Sequence, residues 1–253
     1  DDTSLFQRVS GRDFDTGCAA RDTVHLFDNS VMWIGRDNIV YREGAVPERI
    51  SNNGIEERLR KREGEPSAFT YSMDGHLFYV LRIPGQATMV YDASTQVWSE
   101  FESYQVGYWQ PYVSIRVGQD VIVGSSDDGN IWKLNPELYV DQIDDGSYGT
   151  TDEPIERIVS GSIEFSNGKP IPNYDISLTA AVTDPSATFY VRWKDGNGAW
   201  SNERPMRATE YQNVMALYRV GETRQPIRTF EFRISDDCGI SIYDANSGVS
   251  FRR

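Results

Sequence analysis

Two histidines and two cysteines are the scarce reactive groups in this 253-residue chain, set among 38 aspartates and glutamates. His25 and His76 each sit inside a strand-like run and read as wall residues rather than as ligands or bases. Cys18 and Cys238 lie near opposite ends, which excludes a disulfide framework and a cysteine-based zinc cluster. Two buried free thiols are expected, a single end-to-end bridge being the other arrangement their number allows. No Gly-x-Ser-x-Gly, phosphate-binding Gly-Lys-Ser/Thr loop, Gly-x-Gly-x-x-Gly or His-Glu-x-x-His occurs. The acid pairs Asp127-Asp128, Asp144-Asp145 and Asp236-Asp237 lack the alternating oxygen-ligand spacing of a calcium loop, so neither a metal nor a cofactor is assigned. The expectation is a protein that is not an enzyme.

Three groups of residues have the chemistry of recognition. Arg58, Arg60, Lys61 and Arg62 close a short helical run, Ile55 to Arg62, as a basic patch on an acidic chain. Tyr108, Trp109 and Tyr112, preceded by Tyr104, form an aromatic cluster suited to packing between sheets or to a subunit interface. Trp193, Asp195, Asn197 and Trp200 could stack on and hydrogen-bond a sugar at a loop, which is the alternative reading of the chain as a glycan-binding module.

The elements that must position these residues are short strands. Apolar runs separated by Gly, Asn, Asp and Pro every eight to twelve residues or so mark an all-β chain. Thr23–Phe27, Val31–Ile34, Ile39–Arg42 and Glu48–Ser51 make a first four-stranded meander. Phe69–Ser72, His76–Arg82, Ala87–Tyr91 and Gln96–Glu102 make a second. Val113–Val117, Asp120–Ser125 and Asn130–Leu134 begin a third. A repeat of about 40 residues is the period of β-propeller blades. Tyr91 to Trp98 resembles a kelch-like blade turn. Ser125-x-Asp127-x-Gly129-x-x-Trp132 resembles the Asp-box hairpin, in which the carboxylate caps the turn, Gly takes the bend and Trp packs beneath.

Residues 1–150 are therefore expected to hold propeller blades, incomplete as a ring, and residues 151–253 a second β-rich region, sandwich-like or an outer propeller wall. The polar stretch Asp141 to Pro154 reads as the linker between them. The formal charge of −13 argues against a nucleic-acid clamp. No run approaches the ~20 apolar residues that span a bilayer, and the first residues carry no signal-peptide pattern. Two meanders and part of a third do not close a ring, and the chain does not begin with Met. Either it is part of a longer protein or partner strands complete it.

Asp28 to Asp37, Ile39 to Arg42, Pro47 to Ser51 and Gly54 to Glu56 together resemble the packaged-DNA stabilisation proteins in the tails of short-tailed bacteriophages. Tyr190 to Gly196, Trp200-Ser201-Asn202 and Phe230 to Asp236 resemble later segments of the same family, in the same order. Where the family has a Gly- and Arg-rich run, this chain has Ala208 to Gln212 and Arg219 to Thr223, so a subunit contact made there need not carry over. The resemblance implies a virion tail protein assembled in the host cytoplasm. It would form a homo-oligomeric ring, a hexamer, as a hub or plug beneath the portal and its adaptor, closing the channel after packaging until ejection. It would dock the tail needle and tailspikes, and DNA would pass through its channel without sequence-specific binding or a membrane.

Overall fold

The computed structural model describes residues 15–144, 149–164, 171–207, 214–223 and 225–249. Two compact units divide the chain, Asp1–Pro136 and Glu137–Arg253. In the first, β1 (His25–Phe27), β2 (Ser30–Ile34), β3 (Val40–Arg42) and β4 (Glu48–Arg49) form one antiparallel meander. Helix α1 (Asn53–Arg60) leads to β5 (Ser67–Met73), β6 (His76–Ile83), β7 (Ala87–Asp92) and β8 (Val97–Phe101), a second four-stranded meander. A third sheet has three strands, β9 (Pro111–Val117), β10 (Asp120–Ser125) and β11 (Ile131–Leu134). The propeller-blade reading holds, including the partial third blade.

Local chemistry explains these elements. Asp28 and Asn29 both take positive φ between β1 and β2, the geometry a tight hairpin turn requires and one that short Asx side chains tolerate. Asp74 and Gly75 do the same between β5 and β6. Asn52 caps α1 by accepting from the Ile55 amide at 3.1 Å, and Ile55 and Leu59, one turn apart, turn its apolar stripe inward.

Strand β6 is the centre of the unit because alternate residues feed two different cores. Tyr79, Leu81 and Ile83 face Phe27, Met32, Ile34, Val40, Ile55 and Leu59 of the first blade and α1. Val80 and Phe78 face the other way, joining Phe69, Tyr71 and Val90 against Val121, Val123, Trp132 and Leu134 of the third sheet. Polar groups at these seams are satisfied across them: the Tyr79 hydroxyl donates to the Thr23 carbonyl at 2.8 Å, and the Trp98 indole to the Ile50 carbonyl at 2.8 Å.

The second unit begins with a hairpin, β12 (Val140–Asp144) with β13 (Thr150–Pro154). The stretch read as a linker is thus mostly paired strand, because its Ile and Thr residues favour extended pairing and Gln142 donates across to Asp152 at 3.0 Å. Two sheets follow, sharing one apolar core. One has the order β14 (Arg157–Glu164), β19 (Ile227–Ile234), β16 (Thr188–Asp195), β17 (Arg204–Arg207). The other has β18 (Val214–Thr223), β15 (Ile171–Val182), β20 (Ile240–Val249). Asp145 and Ala208 to Gln212, named in the sequence analysis, lie outside the described residues.

Both cysteines are free. Cys238 is buried, which pushes its thiol above the ordinary range, whereas Cys18 is exposed, contrary to the expectation of two buried thiols. Cys18 precedes the first blade strand, and its thiol donates to the Ala20 carbonyl at 3.3 Å.

Arg228 is the largest fully buried side chain of the second unit. Its guanidinium grips Asp195 bidentately at 2.6 and 2.9 Å and donates to the carbonyls of Val220, Gly221 and Glu222. Those carbonyls belong to the end of β18, where Arg219 and Gly221 take positive φ and the backbone leaves regular strand geometry. Arg228→Ala leaves a carboxylate and three carbonyls without their donor, so calorimetry of the chain is expected to show the second unit destabilised by about 3–5 kcal/mol. An unchanged melting profile would mean that the pair contributes nothing.

Candidate functional site

The end of β6 continues the face that carries Phe78 and Val80, and this places Arg82 against the third sheet. Its guanidinium holds the Asp127 carboxylate at 3.1 and 2.8 Å, lies 4.8 Å from the Tyr108 ring centre and 5.7 Å from that of Tyr112. The Tyr108 hydroxyl donates to the same carboxylate at 2.9 Å. One side of the cluster opens to a groove of about 460 Å³, lined by Glu65, Ser67, Gln86, Tyr108 and Tyr112 with Arg82. The ion pair, made through one guanidinium nitrogen, and aromatic stacking together hold Arg82 in place, so the cluster is a clamp between two blades.

Asp127 is the acidic residue of the Asp-box-like hairpin, and the structure corrects the role expected of it. Its carboxylate does not cap its own turn. The neighbouring Asp128 does, accepting from the Asn130 amide at 3.0 Å, while Gly129 makes the bend at φ +76° and Trp132 packs into the core as expected. Asp127 turns outward because the Arg82 Nη2 offers a charge-assisted bond, joined by one from the Tyr108 hydroxyl, that a turn amide cannot match. Burial opposes ionisation of Asp127, but the bonds from Arg82 and Tyr108 outweigh it and hold the carboxyl below its ordinary value. The same hydrogen bond to Asp127, with burial, raises the Tyr108 phenol.

Of the other aromatic candidates, Trp109 points inward and packs against Phe69, Tyr71 and Phe101, while Tyr112 is exposed beside Arg82. The basic residues of α1 are elsewhere on the unit and each has an internal partner. Arg58 pairs with Glu100 at 2.8 Å, Arg60 with the buried Glu56 at 3.6 Å and Lys61 with Glu57 at 2.7 Å; Arg62 donates to Asn38 and to the Leu59 carbonyl. The structure therefore brings Tyr108 and Tyr112 together around Arg82 and spreads the remaining candidates over other contacts.

In the second unit, Trp193 and Asp195 lie on the inward face of β16, Trp193 against Phe230 and Asp195 on Arg228. Trp200 lies with Arg192 and Lys194, which occupy the opposite face of β16, at 4.8 and 4.6 Å from its ring centre. Asn197 stays in the turn after β16. Arg82 and Arg228 were missed as site residues because their partners lie 45 and 33 residues away along the chain. Among the described residues no group of three or more His, Cys, Asp or Glu side chains is placed to hold a metal ion.

The sequence matches the Phage_stabilise family, described as bacteriophage P22 Gp10, beta-propeller, over residues 1–139. This span covers the three-bladed unit and more than half of the chain. The chain belongs to the Phage_stabilise family. It is accordingly a phage structural protein that stabilises packaged DNA, and a component of the virion. Comparison with curated proteins finds no match.

Similar solved structures include an exo-beta-1,3-galactanase from Phanerochaete chrysosporium, 11% identical with a TM-score of 0.28, over 87% of this chain and 67% of that one. A glycoside hydrolase family 43 arabinoxylan arabinofuranohydrolase from Bacillus subtilis is 9% identical with a TM-score of 0.26, over 92% of this chain and 69% of that one. The expectation that the chain is not an enzyme is corrected on this finding: its structural neighbours are glycoside hydrolases, and the statement is withdrawn. Likeness at this level carries neither their activity nor their substrates to this chain.

The depressed carboxyl of Asp127 sets the pH dependence of the clamp. A carboxylate held below its ordinary value contributes stability that is present above that value and is lost as pH falls through the folded one. Asp127→Asn is expected to cost about 1–2 kcal/mol at neutral pH and to flatten the acid limb of stability below about pH 4, read by urea unfolding across pH. An acid limb identical to that of the unsubstituted chain would dismiss this assignment.

Proposed function

We propose that this Phage_stabilise member is a hub or plug of a short-tailed phage tail, seated in several copies beneath the portal and its adaptor and closing the channel over packaged DNA. The family match over the bladed unit carries the reading. The segments Tyr190 to Gly196 and Phe230 to Asp236, which form β16, β19 and their adjoining turns, extend the resemblance into the second unit. The chain spans about two thirds of the length of its structural neighbours, and the role proposed is that of the assembled protein.

Physical chemistry supports the role in two ways. A formal charge of −13 repels phosphate, so DNA meets a wall along which it slides, whereas a basic lining would bind it with steep salt dependence. Arg58, Lys61, Arg62 and Arg82 are each engaged by carboxylates or an amide of the same chain, so none of them stands as an unpaired cation toward an outside polyanion. In this reading tail needle and tailspikes dock on the finished hub, which opens at ejection.

Particles assembled without the protein are expected to fill with DNA and then lose it, measured as packaged genome per particle over time. The purified protein is expected to add to particles that carry portal and adaptor and to stop the loss. Genome retention without the protein would remove the assignment.

A further inference from the structure

The groove beside Arg82 has walls from two blades and carries polar groups that the clamp does not use. Ser67 and Arg82 are direct cross-strand partners on β5 and β6, so their side chains share one face. Glu65 stands just before β5, Gln86 lies in the turn between β6 and β7, and Tyr112, near the start of β9, belongs to the opposite wall. Asp127 holds Arg82 across the seam, so the two walls are fixed before anything enters. At about 460 Å³ the space is that of a small-ligand site.

Donors and acceptors both remain open there. The Gln86 amide donates to the carbonyls of Lys61 and Gly85 at 3.3 and 2.9 Å, which leaves its oxygen to accept. Arg82 directs one nitrogen to Asp127 and another to the Ser126 hydroxyl at 3.4 Å, which leaves its Nε–H to donate. Among the described residues nothing bonds the Glu65 carboxylate, the Gln86 side-chain oxygen or the Arg82 Nε–H. Beside them stands the ring of Tyr112, 41% exposed.

These groups discriminate between ligand classes. An anion would meet the Glu65 carboxylate, and a cation would meet the Arg82 guanidinium. An apolar ligand would strip water from both without replacing the lost bonds. A neutral polyhydroxy compound suits all of them, since each hydroxyl both donates and accepts and the C–H face of a sugar ring packs flat on a tyrosine. We propose that this groove binds a neutral saccharide, with Tyr112 as the stacking platform, Glu65 and the Gln86 oxygen accepting from sugar hydroxyls, and the Arg82 Nε–H donating to one. The inference stands on the groove and does not depend on the hub reading. It also differs from the sugar site expected at Trp193, Asp195, Asn197 and Trp200, whose two tryptophans the fold places on opposite faces of the sheet.

An array of neutral and acidic mono- to tetrasaccharides, probed with the full chain, tests it, and the neutral sugar with the strongest signal is then titrated by calorimetry. Retention is expected on neutral sugars, with acidic sugars at background. Tyr112→Ala and, separately, Glu65→Gln are expected to weaken binding about tenfold or more, whereas Tyr112→Phe, which keeps the ring, and Trp200→Ala stay within about twofold. Glu65 is exposed and makes no bond within the described chain, so Glu65→Gln keeps the thermal unfolding of the unsubstituted protein and reads binding alone even where Tyr112→Ala loosens the clamp. An array on which no neutral sugar rises above background overturns the proposal. So does a preference for acidic sugars, or binding that survives both Tyr112→Ala and Glu65→Gln, or binding lost in Trp200→Ala, which would place the site in the second unit.

Discussion

A four-stranded meander has two faces and buries neither by itself; the organisation of the first unit follows from that constraint. Strand β6 meets it most fully. Its odd residues, Tyr79, Leu81 and Ile83, complete the core shared with the first blade and α1, and its even residues, Phe78 and Val80, complete the core shared with the third sheet. Because side chains alternate along a strand, a slip of one residue would exchange these two sets and place the Tyr79 hydroxyl where no Thr23 carbonyl awaits it. Apolar burial supplies the drive to stack, and directed hydrogen bonds across the seams select one register.

Ion pairs act at the edges of the same seams. Arg82 joins the second blade to the third through Asp127, and Arg49 joins β4 to α1 through the buried Glu56 at 2.6 Å, with Ser51 donating to the same carboxylate. Each spans two elements and fixes their relative placement. Each pair removes one cation and one carboxylate together, so the excess of acids set by composition is unchanged and the pairs act on geometry rather than on net charge.

Much of this was legible in the residues. Asp28-Asn29 and Asp74-Gly75 announce tight hairpins through their tolerance of positive φ, Asn52 announces a helix start, and the spacing between meanders announces blades. What escaped depends on contacts between residues distant in sequence. Asp127 looked like a turn cap because its local pattern is that of a hairpin, and only the fold brings Arg82 within reach. Asp141 to Pro154 looked like a linker because Asp, Gly and Ser dominate its middle, while the pairing of Val140 with Pro154 lies between its ends. Strand β20, with Asp, Asn, Ser and Gly in its second half, carries little strand propensity and is held by its pairing with β15. Trp193 and Trp200 looked like neighbours of one site, yet they take opposite faces of the sheet.

The closed seams of the first unit and the outward face of its third sheet differ in kind. Each closed seam combines an apolar cluster with directed polar ties: Tyr79 to Thr23 and Trp98 to Ile50 on one side, Ser114 to Thr70 and Arg82 to Asp127 on the other. The outward face of the third sheet has the apolar part, Val113, Ile115, Val117 and Ile131, with a glycine between two of them and few polar groups to aim. Aliphatic surface is adhesive but undirected, since burial rewards any close-fitting apolar partner.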